Sequence, residues 1–197
     1  FTVVIGVFTC YLYKATEKLA HISSEQERST KTIERAYVKM SHVPPGLVRV
    51  GDAIYDVHLN IKNFGQTPAT ITSVVVTYKI VPHDGPLPTI PDYTMGTGDL
   101  RRVFLVREDE FFTYKSFTIL SPERGLIQDR TSDLCIYGYV DYIDQFGTRH
   151  RAGYARRYDP RGPILGEGSN LNYITQPNYN YDCKRQKGDG NDWDEAI

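Results

Sequence analysis

Residues 54–80 join an alternating segment to an apolar one, and no other stretch of the chain restricts the fold as strongly. In residues 55–62, apolar and polar side chains alternate one by one, which is the period of a strand with one buried face. Residues 69–80 are rich in Val, Ile and Thr, which favour strands. Between them, Asn63 and Gly65 tolerate left-handed backbone angles and Pro68 fixes the chain direction. We therefore predict two strands joined by a tight turn that sets their register.

Further segments of residues 36–160 carry strand signals. An extended segment at 34–43 is predicted to end at Pro44-Pro45-Gly46, and strand-like runs return at 100–108 and 111–120. Residues 134–142 and 148–158 predict a hairpin around the turn 144–147, in which Asp144 accepts backbone hydrogen bonds. Seven or so short strands at this spacing predict a mainly β fold, an immunoglobulin-like two-sheet antiparallel sandwich.

Composition agrees with a folded β domain and argues against nucleic-acid binding. The 197 residues are 40 % hydrophobic and 24 % charged, with 15 Tyr and 8 Phe against 2 Met. A formal net charge of −1 provides no basic field that would recruit nucleic acid. The arginines of residues 149–157 alternate with apolar residues, which is typical of the solvent face of a strand.

The chain begins with an uncharged apolar run at residues 1–13, and its first residue is Phe1 rather than Met. This run is shorter than the roughly 20 residues that cross a bilayer, so a buried helix or a signal-peptide core is one interpretation. A continuing helical stretch follows it, and Tyr11 and Tyr13 beside Lys14 resemble an interfacial belt. We predict that residues 1–13 are the C-terminal part of a transmembrane helix that contacts membrane lipid.

Residues 14–35 contain no Gly or Pro and few apolar positions, which predicts an exposed helical stalk. Lys14 and Lys18 follow the apolar run directly, and the positive-inside rule then favours the cytoplasmic side for the β domain. The periplasmic side stays open. The predicted location is the bacterial inner membrane, with a single pass.

Two irregular regions are candidates for contacts. Residues 81–99 form a Pro- and Gly-rich connection, and such a long loop is either functional or packed on the domain. Residues 161–197 are predicted to be an irregular tail that wraps a partner or the domain, or stays mobile. We expect a membrane-protein partner to contact the stalk and this tail.

No catalytic, cofactor or metal site can be assigned from the sequence. The five histidines (His21, His42, His58, His83 and His150) lack the spacing of a metal site, and each is interpreted as a surface or strand residue. The acidic residues Asp189, Asn191, Asp192, Asp194 and Glu195 lack the closing acid of an EF-hand and favour a solvated tail. Asp141 and Asp144 could be paired carboxylates, but a turn-forming role for Asp144 is the preferred interpretation.

The three cysteines form no CxxC pair, so a zinc or redox motif is not expected. Cys10 and Cys135 are expected to be buried free thiols. A disulfide between Cys135 and Cys183 remains possible if the domain faces an oxidising compartment.

Several segments of residues 1–160 together resemble a group of uncharacterised bacterial membrane-anchored proteins. The segments are an Arg-Ala-Tyr-Val start at 35–38, an Asn-x-Gly-x-Thr-Pro-Ala turn at 63–69 and a Tyr-x-Asp-x-Phe-Gly hairpin at 142–147. The resemblance implies an N-terminal transmembrane helix, a helical stalk and a β domain, with no assigned activity. Together with the patterns described above, it divides residues 1–160 into 1–13, 14–35 and 36–160, and the irregular tail at 161–197 does not match the group.

These observations favour a non-catalytic, membrane-anchored interaction protein, an accessory or assembly subunit of a larger bacterial membrane complex. The alternative is a membrane-tethered ligand-sensing or binding module that uses the 81–99 loop. An enzyme is disfavoured because no nucleophile–base pair or metal-ligand set can be named.

Overall fold

A computed structural model describes residues 2–50, 53–94, 96–99, 102–162 and 170–184. The chain divides into two compact units, Phe1–Arg35 and Ala36–Ile197. The first unit is a single helix, and the second contains all the strands.

The first unit is helix α1, which runs without interruption over Thr2–Ile33. The described side chains of residues 12–27 are all exposed, as expected for a stalk with few apolar positions. Among the described residues, no helix combines the length and the apolar character needed to cross a membrane. The transmembrane helix predicted at residues 1–13 is therefore not seen in the structure, and it stays a prediction.

The second unit is mainly β, as predicted, and contains ten strands and a short helix among the described residues. The elements in chain order are β1 Val38–Arg49, β2 Ile54–Asn63, β3 Ala69–Pro82, β4 Thr97–Asp99, β5 Val103–Leu105, β6 Glu110–Thr118, α2 Ser121–Gln128, β7 Ser132–Asp144, β8 Arg149–Tyr158, β9 Leu171–Tyr173 and β10 Asp182–Lys184.

The strands form two antiparallel sheets. Sheet A has the order β1-β2-β6, and the main path of sheet B is β10-β8-β7-β3-β4. Strand β5 also pairs with β3, and β9 also pairs with β8. One hydrophobic cluster contains residues of both sheets, among them Val57 and Leu59 of sheet A and Ile136 and Val140 of sheet B. A second cluster, with Cys135 and Tyr137, lies on the opposite face of β7 because neighbouring side chains of a strand alternate.

The prediction that a strand ends at Pro44-Pro45-Gly46 is wrong, because β1 continues through it to Arg49. The pairing of β1 with β2 shifts register between His42 and Leu47, and Gly46 has a φ of 103°. Asn170 compensates for the interruption. Its side chain accepts a hydrogen bond from Leu47 N at 2.9 Å and donates one to Leu47 O at 2.8 Å.

The turn at 63–69 joins β2 to β3 as predicted, but by another mechanism. Neither Asn63 nor Gly65 has a positive φ. Instead, the buried Asn63 side chain accepts hydrogen bonds from Gly65 N at 2.9 Å and Tyr37 N at 3.3 Å. It also donates to Thr67 O at 2.8 Å and Leu105 O at 3.2 Å. The amide therefore supplies partners to backbone groups that the turn leaves unpaired.

The hairpin predicted at 134–158 is confirmed. The Asp144 carboxylate accepts hydrogen bonds from Phe146 N at 2.9 Å and Thr148 N at 2.8 Å, and Gly147 takes a φ of 78°. Asp144 thus forms the turn, as the sequence indicated.

Part of the segment beyond residue 160 is regular. Strands β9 and β10 both pair with β8, so residues 170–184 extend sheet B, and they pack on their own domain. The acidic stretch at 189–195 lies outside the described residues. Among the described residues, Cys135 is a buried free thiol, as expected, Cys183 is exposed, and the two do not form a disulfide.

Candidate functional site

A cleft of about 490 Å³ opens at one end of sheet B, where β3 ends and β7 begins. The final residues of β8 and the chain around β9 complete its wall. The charged side chains of its lining are His83, Asp84, Arg130, Asp133, Arg157 and Asp159. The register of sheet B brings His83 close to Asp133. Strands β3 and β7 pair Val81 with Asp133, and His83 follows Val81 by two residues.

Asp133 is the most buried charged group of the cleft, with 8 % of its side chain exposed. Its Oδ1 lies 2.9 Å from His83 Nδ1. Its Oδ2 accepts a hydrogen bond from Asp84 N at 2.8 Å and lies 3.2 Å from Arg157 Nη1. These donors stabilise the ionised carboxylate, which would otherwise be costly to bury.

His83 joins the buried carboxylate to the solvent side of the cleft. Because an ionised carboxylate only accepts hydrogen bonds, the contact with Asp133 places a proton on Nδ1. In the neutral imidazole, Nε2 is then the acceptor, 3.6 Å from Asp84 Oδ2. His83 therefore presents a proton-accepting nitrogen next to an exposed carboxylate.

Arg157 links β8 to the loop that carries His83. Its Nη1 lies 2.9 Å from Asp84 Oδ1, and its Nη2 donates to Gly85 O at 3.1 Å. Asp84 has a φ of 55°, the left-handed region that Asp tolerates better than most residues. The guanidinium therefore holds the first residues of the 81–99 loop against the sheet.

His83, Asp84 and Asp133 each offer a ligand atom within 4.8 Å of the others, which is a spacing suited to one metal ion. Arg157 competes with such an ion, since its Nη1 contacts both carboxylates. A divalent cation would also need His83 Nε2, because Nδ1 is already engaged by Asp133. The three residues could ligate one ion together only if Arg157 withdrew and the contact between His83 Nδ1 and Asp133 were broken.

Cys135 lies next to this cluster but is unsuited to nucleophilic chemistry. Burial raises the pKa of its thiol to about 11, although Arg157 opposes the shift. The thiol is therefore protonated at neutral pH, and a protonated thiol is a poor nucleophile.

The other residues considered from the sequence do not join this cluster. His21 lies on α1, 3.9 Å from Glu25, and His58 lies on sheet A beside the Tyr114 ring. His42 is partly buried near Tyr154, and its pKa is lowered by burial and by Arg156. His150 is buried against Asp144.

Asp141 and Asp144 do not form a carboxylate pair. Asp141 accepts two hydrogen bonds from Arg151, each of 2.7 Å, whereas Asp144 holds the turn. Their separation of three residues puts their side chains on opposite faces of β7. The structure therefore separates the only paired-acid candidate that the sequence offered.

A second candidate site is the outer edge of β6. This strand lies at the end of sheet A, and no described residue pairs with the side turned away from β2. Two large side chains of β6, Phe112 and Tyr114, are 57 % and 64 % exposed. Phe104 and Val106, which precede the strand, are also exposed. An open strand edge with exposed aromatic residues is a typical protein-binding surface.

The 81–99 loop was predicted as a candidate binding region, but neither the cluster of His83 and Asp133 nor the open edge of β6 could be recognised from the sequence. His83 and Asp84 belong to this loop, but Asp133 joins them only through the pairing of β3 with β7. Residues 111–120 were recognised as strand-like, but which strand of a sheet lies at its edge depends on topology. The one available signal was the aromatic residues on both faces of residues 111–117.

Comparisons with known proteins give only distant structural likenesses, which support no conclusion about the fold or the function of this chain. No family model matches the chain, and no curated protein matches it. A Bordetella pertussis protein assigned the name ApaA is 12 % identical, with a TM-score of 0.41, over 62 % of this chain and 94 % of that one. The structural genomics target SoR45 is 12 % identical, with a TM-score of 0.38, over 70 % and 96 %. A protein from Archaeoglobus fulgidus is 11 % identical, with a TM-score of 0.33, over 62 % and 93 %.

Proposed function

We propose that this chain is a non-catalytic interaction protein that binds a polypeptide partner through the open edge of β6. The observation that carries the proposal is the nine-residue strand Glu110–Thr118, whose outer side pairs with no strand of the described residues. An exposed strand edge presents a row of unpaired N–H and C=O groups, so an edge of this length is a template for an added strand.

The exposed side chains of this strand support the same function. Phe112 and Tyr114 stand on the solvent face of sheet A, where an added strand would cover them. Aromatic residues are enriched in protein interfaces because they bury a large area at a small cost in conformational entropy. A partner strand would thus gain backbone hydrogen bonds and aromatic contacts together.

We further propose that the chain is anchored in the bacterial inner membrane as an accessory or assembly subunit of a larger complex. Support comes from the apolar run at residues 1–13 and from the exposed second half of α1, which resembles a stalk. The side of the membrane remains open between cytoplasm and periplasm. We also propose that sheets A and B form an immunoglobulin-like sandwich, supported by the hydrophobic cluster that they share.

Copurification of the full chain from solubilised bacterial membranes tests the proposed function. Tyr114→Pro removes an outward N–H and an exposed aromatic ring, so we expect bound proteins to be lost from this variant. Ile54→Lys is the matched control, since it removes an exposed apolar side chain from central strand β2 and leaves the edge intact. Migration of the wild-type chain only as a small monomer in native electrophoresis would contradict the proposal.

The cleft at His83 favours a second function, a ligand-binding module that uses the 81–99 loop. Residues 83–86 of this loop line the cleft together with Arg130. A thermal-shift screen of divalent cations and small organic anions tests it, because a bound ligand raises the melting temperature. We expect a shift caused by an anion to disappear in Arg130→Ala and to remain in Arg102→Ala, whose arginine is exposed and outside the cleft.

A further inference from the structure

The backbone direction of β6 follows from the hydrogen bonds at its two ends. Beyond the C-terminal end, Ile119 N donates to Ala53 O at 2.8 Å, and before the N-terminal end, Asn63 N donates to Asp109 O at 3.1 Å. Odd-numbered residues of the strand therefore turn their N–H and C=O groups towards β2. Because successive residues of a strand point these groups in opposite directions, even-numbered residues turn theirs to the free edge. The outward residues are Glu110, Phe112, Tyr114, Ser116 and Thr118.

The usable part of the edge is shorter than the strand. At its C-terminal end, the Tyr78 hydroxyl donates to Thr118 O at 2.8 Å and so occupies the last outward carbonyl. At its N-terminal end, the turn at Glu108 and Asp109 begins, with a φ of 63° at Glu108. The outward backbone groups that can still pair lie between Glu110 and Ser116. We call this part of the edge the window, and its central residue is Thr113.

This window is complementary to itself. In an antiparallel pair of two copies centred on Thr113, Glu110 faces Ser116 of the second copy, and Phe112 faces Tyr114. All outward N–H and C=O groups of the window then have a partner. The two Phe–Tyr pairs are favourable cross-strand contacts. Neither charged side chain of the window meets a like charge, because Lys115 faces Phe111 and Glu110 faces a serine.

We propose that the occupant of the β6 edge is a second copy of this chain, paired antiparallel about a two-fold axis at Thr113. The inference rests on the proposed function, since it names the partner of the same edge. Pairing joins two copies of sheet A into a continuous six-stranded sheet, and the isologous contact closes as a dimer rather than growing into a fibre.

Disulfide trapping tests the predicted register. In the proposed dimer the two Thr113 residues form a non-hydrogen-bonded pair with Cα atoms about 4.5 Å apart, which a disulfide can bridge. We expect Thr113→Cys in a full chain carrying Cys10→Ser and Cys183→Ser to form a cross-linked dimer under mild oxidation. Ser116→Cys in the same background is the matched control, because its two copies would lie about 20 Å apart along the strand. Absence of the Thr113 cross-link, or equal cross-linking at both positions, overturns the proposed register.

The mass of the purified full chain, measured by light scattering in mild detergent over a range of concentrations, provides an independent readout. We expect a dimer whose dissociation constant rises at least about tenfold in Tyr114→Pro and changes little in Ile54→Lys. A wild-type chain that stays monomeric at all concentrations overturns the second copy as occupant. If such a monomer still copurifies another protein, and Tyr114→Pro does not, the proposed function stands without the dimer. If neither association is found, both proposals fail.

Discussion

The Asp144 carboxylate lies 2.9 Å from Nε2 of His150, and both side chains are buried between the turn and the core. His150 also stacks on the Tyr142 ring, with ring centres 5.0 Å apart. Its Nδ1 is buried without a hydrogen-bond partner in the described part of the chain. The neutral tautomer with its proton on Nε2 therefore leaves no N–H group unpaired. Asp144 thus fixes both the hairpin turn and the histidine beneath it.

We expect Asp144→Ala to lower the free energy of unfolding by about 3 kcal/mol. The substitution removes the acceptor of two backbone N–H groups and leaves the buried His150 Nε2 unpaired. Urea unfolding followed by circular dichroism measures the change. Gln145→Ala, at an exposed position of the same turn, serves as the control and should stay within about 0.5 kcal/mol of the wild type.

Asn63→Asp should also cost about 3 kcal/mol or more, although the two side chains have the same shape. The amide nitrogen donates to Thr67 O and Leu105 O, and a carboxylate oxygen would face these carbonyls without a proton. Gln66→Glu makes the same amide-to-acid change at an exposed position of this turn, and little effect is expected there. Equal stability losses in the two variants would contradict the role assigned to Asn63.

Two Gly→Ala substitutions should have opposite effects on stability. A Cβ at Gly138 would overlap Val75 O on the paired strand β3, so Gly138→Ala should cost about 3 kcal/mol or prevent folding. At Gly125 in α2, no atom lies within 4 Å of an added Cβ. Gly125→Ala should therefore raise the melting temperature, because alanine favours a helix by about 0.5–1 kcal/mol. Thermal unfolding of both variants provides the test.

Alkaline pH should lower the free energy of unfolding, because the thiol of Cys135 ionises. Burial raises the pKa of its thiol from 9.0 to about 11, so the folded state holds the proton more tightly than the unfolded state. The contribution of the protonated thiol to the free energy of unfolding is fully present below pH 9. It is lost as the pH rises to about 11, and the free energy of unfolding then falls by about 2–3 kcal/mol.

Tyr179 titrates in an overlapping range, because burial raises its pKa to about 12. The test therefore compares the pH-dependent change in the free energy of unfolding of the wild type with that of Cys135→Ala. We expect the wild type to lose more free energy of unfolding than the variant between pH 9 and 11. Parallel pH profiles for the two proteins would show that Cys135 does not contribute.

Patterns formed by residues that are close in the sequence predicted much of the fold. The hairpin around Asp144 and Gly147 was predictable because an aspartate and a glycine meet the needs of that turn within a few residues. The strand period at residues 55–62 likewise identified β2 and its buried face. Pro44 and Pro45 indicated the end of a strand, but β1 continues because Asn170, more than 120 residues away, replaces the lost strand pairing.

The sequence by itself determined that residues 55–62, 69–80 and 134–158 form strands and that turns lie at 63–69 and 144–147, because period and turn chemistry act between near neighbours. Only the tertiary structure decided that His83 and Asp133 meet, and that β6 lies at an open edge. The physical reason is that strand order and register depend on pairing between distant segments. A local pattern can specify that a strand forms, but not which strand it pairs with or which side stays free.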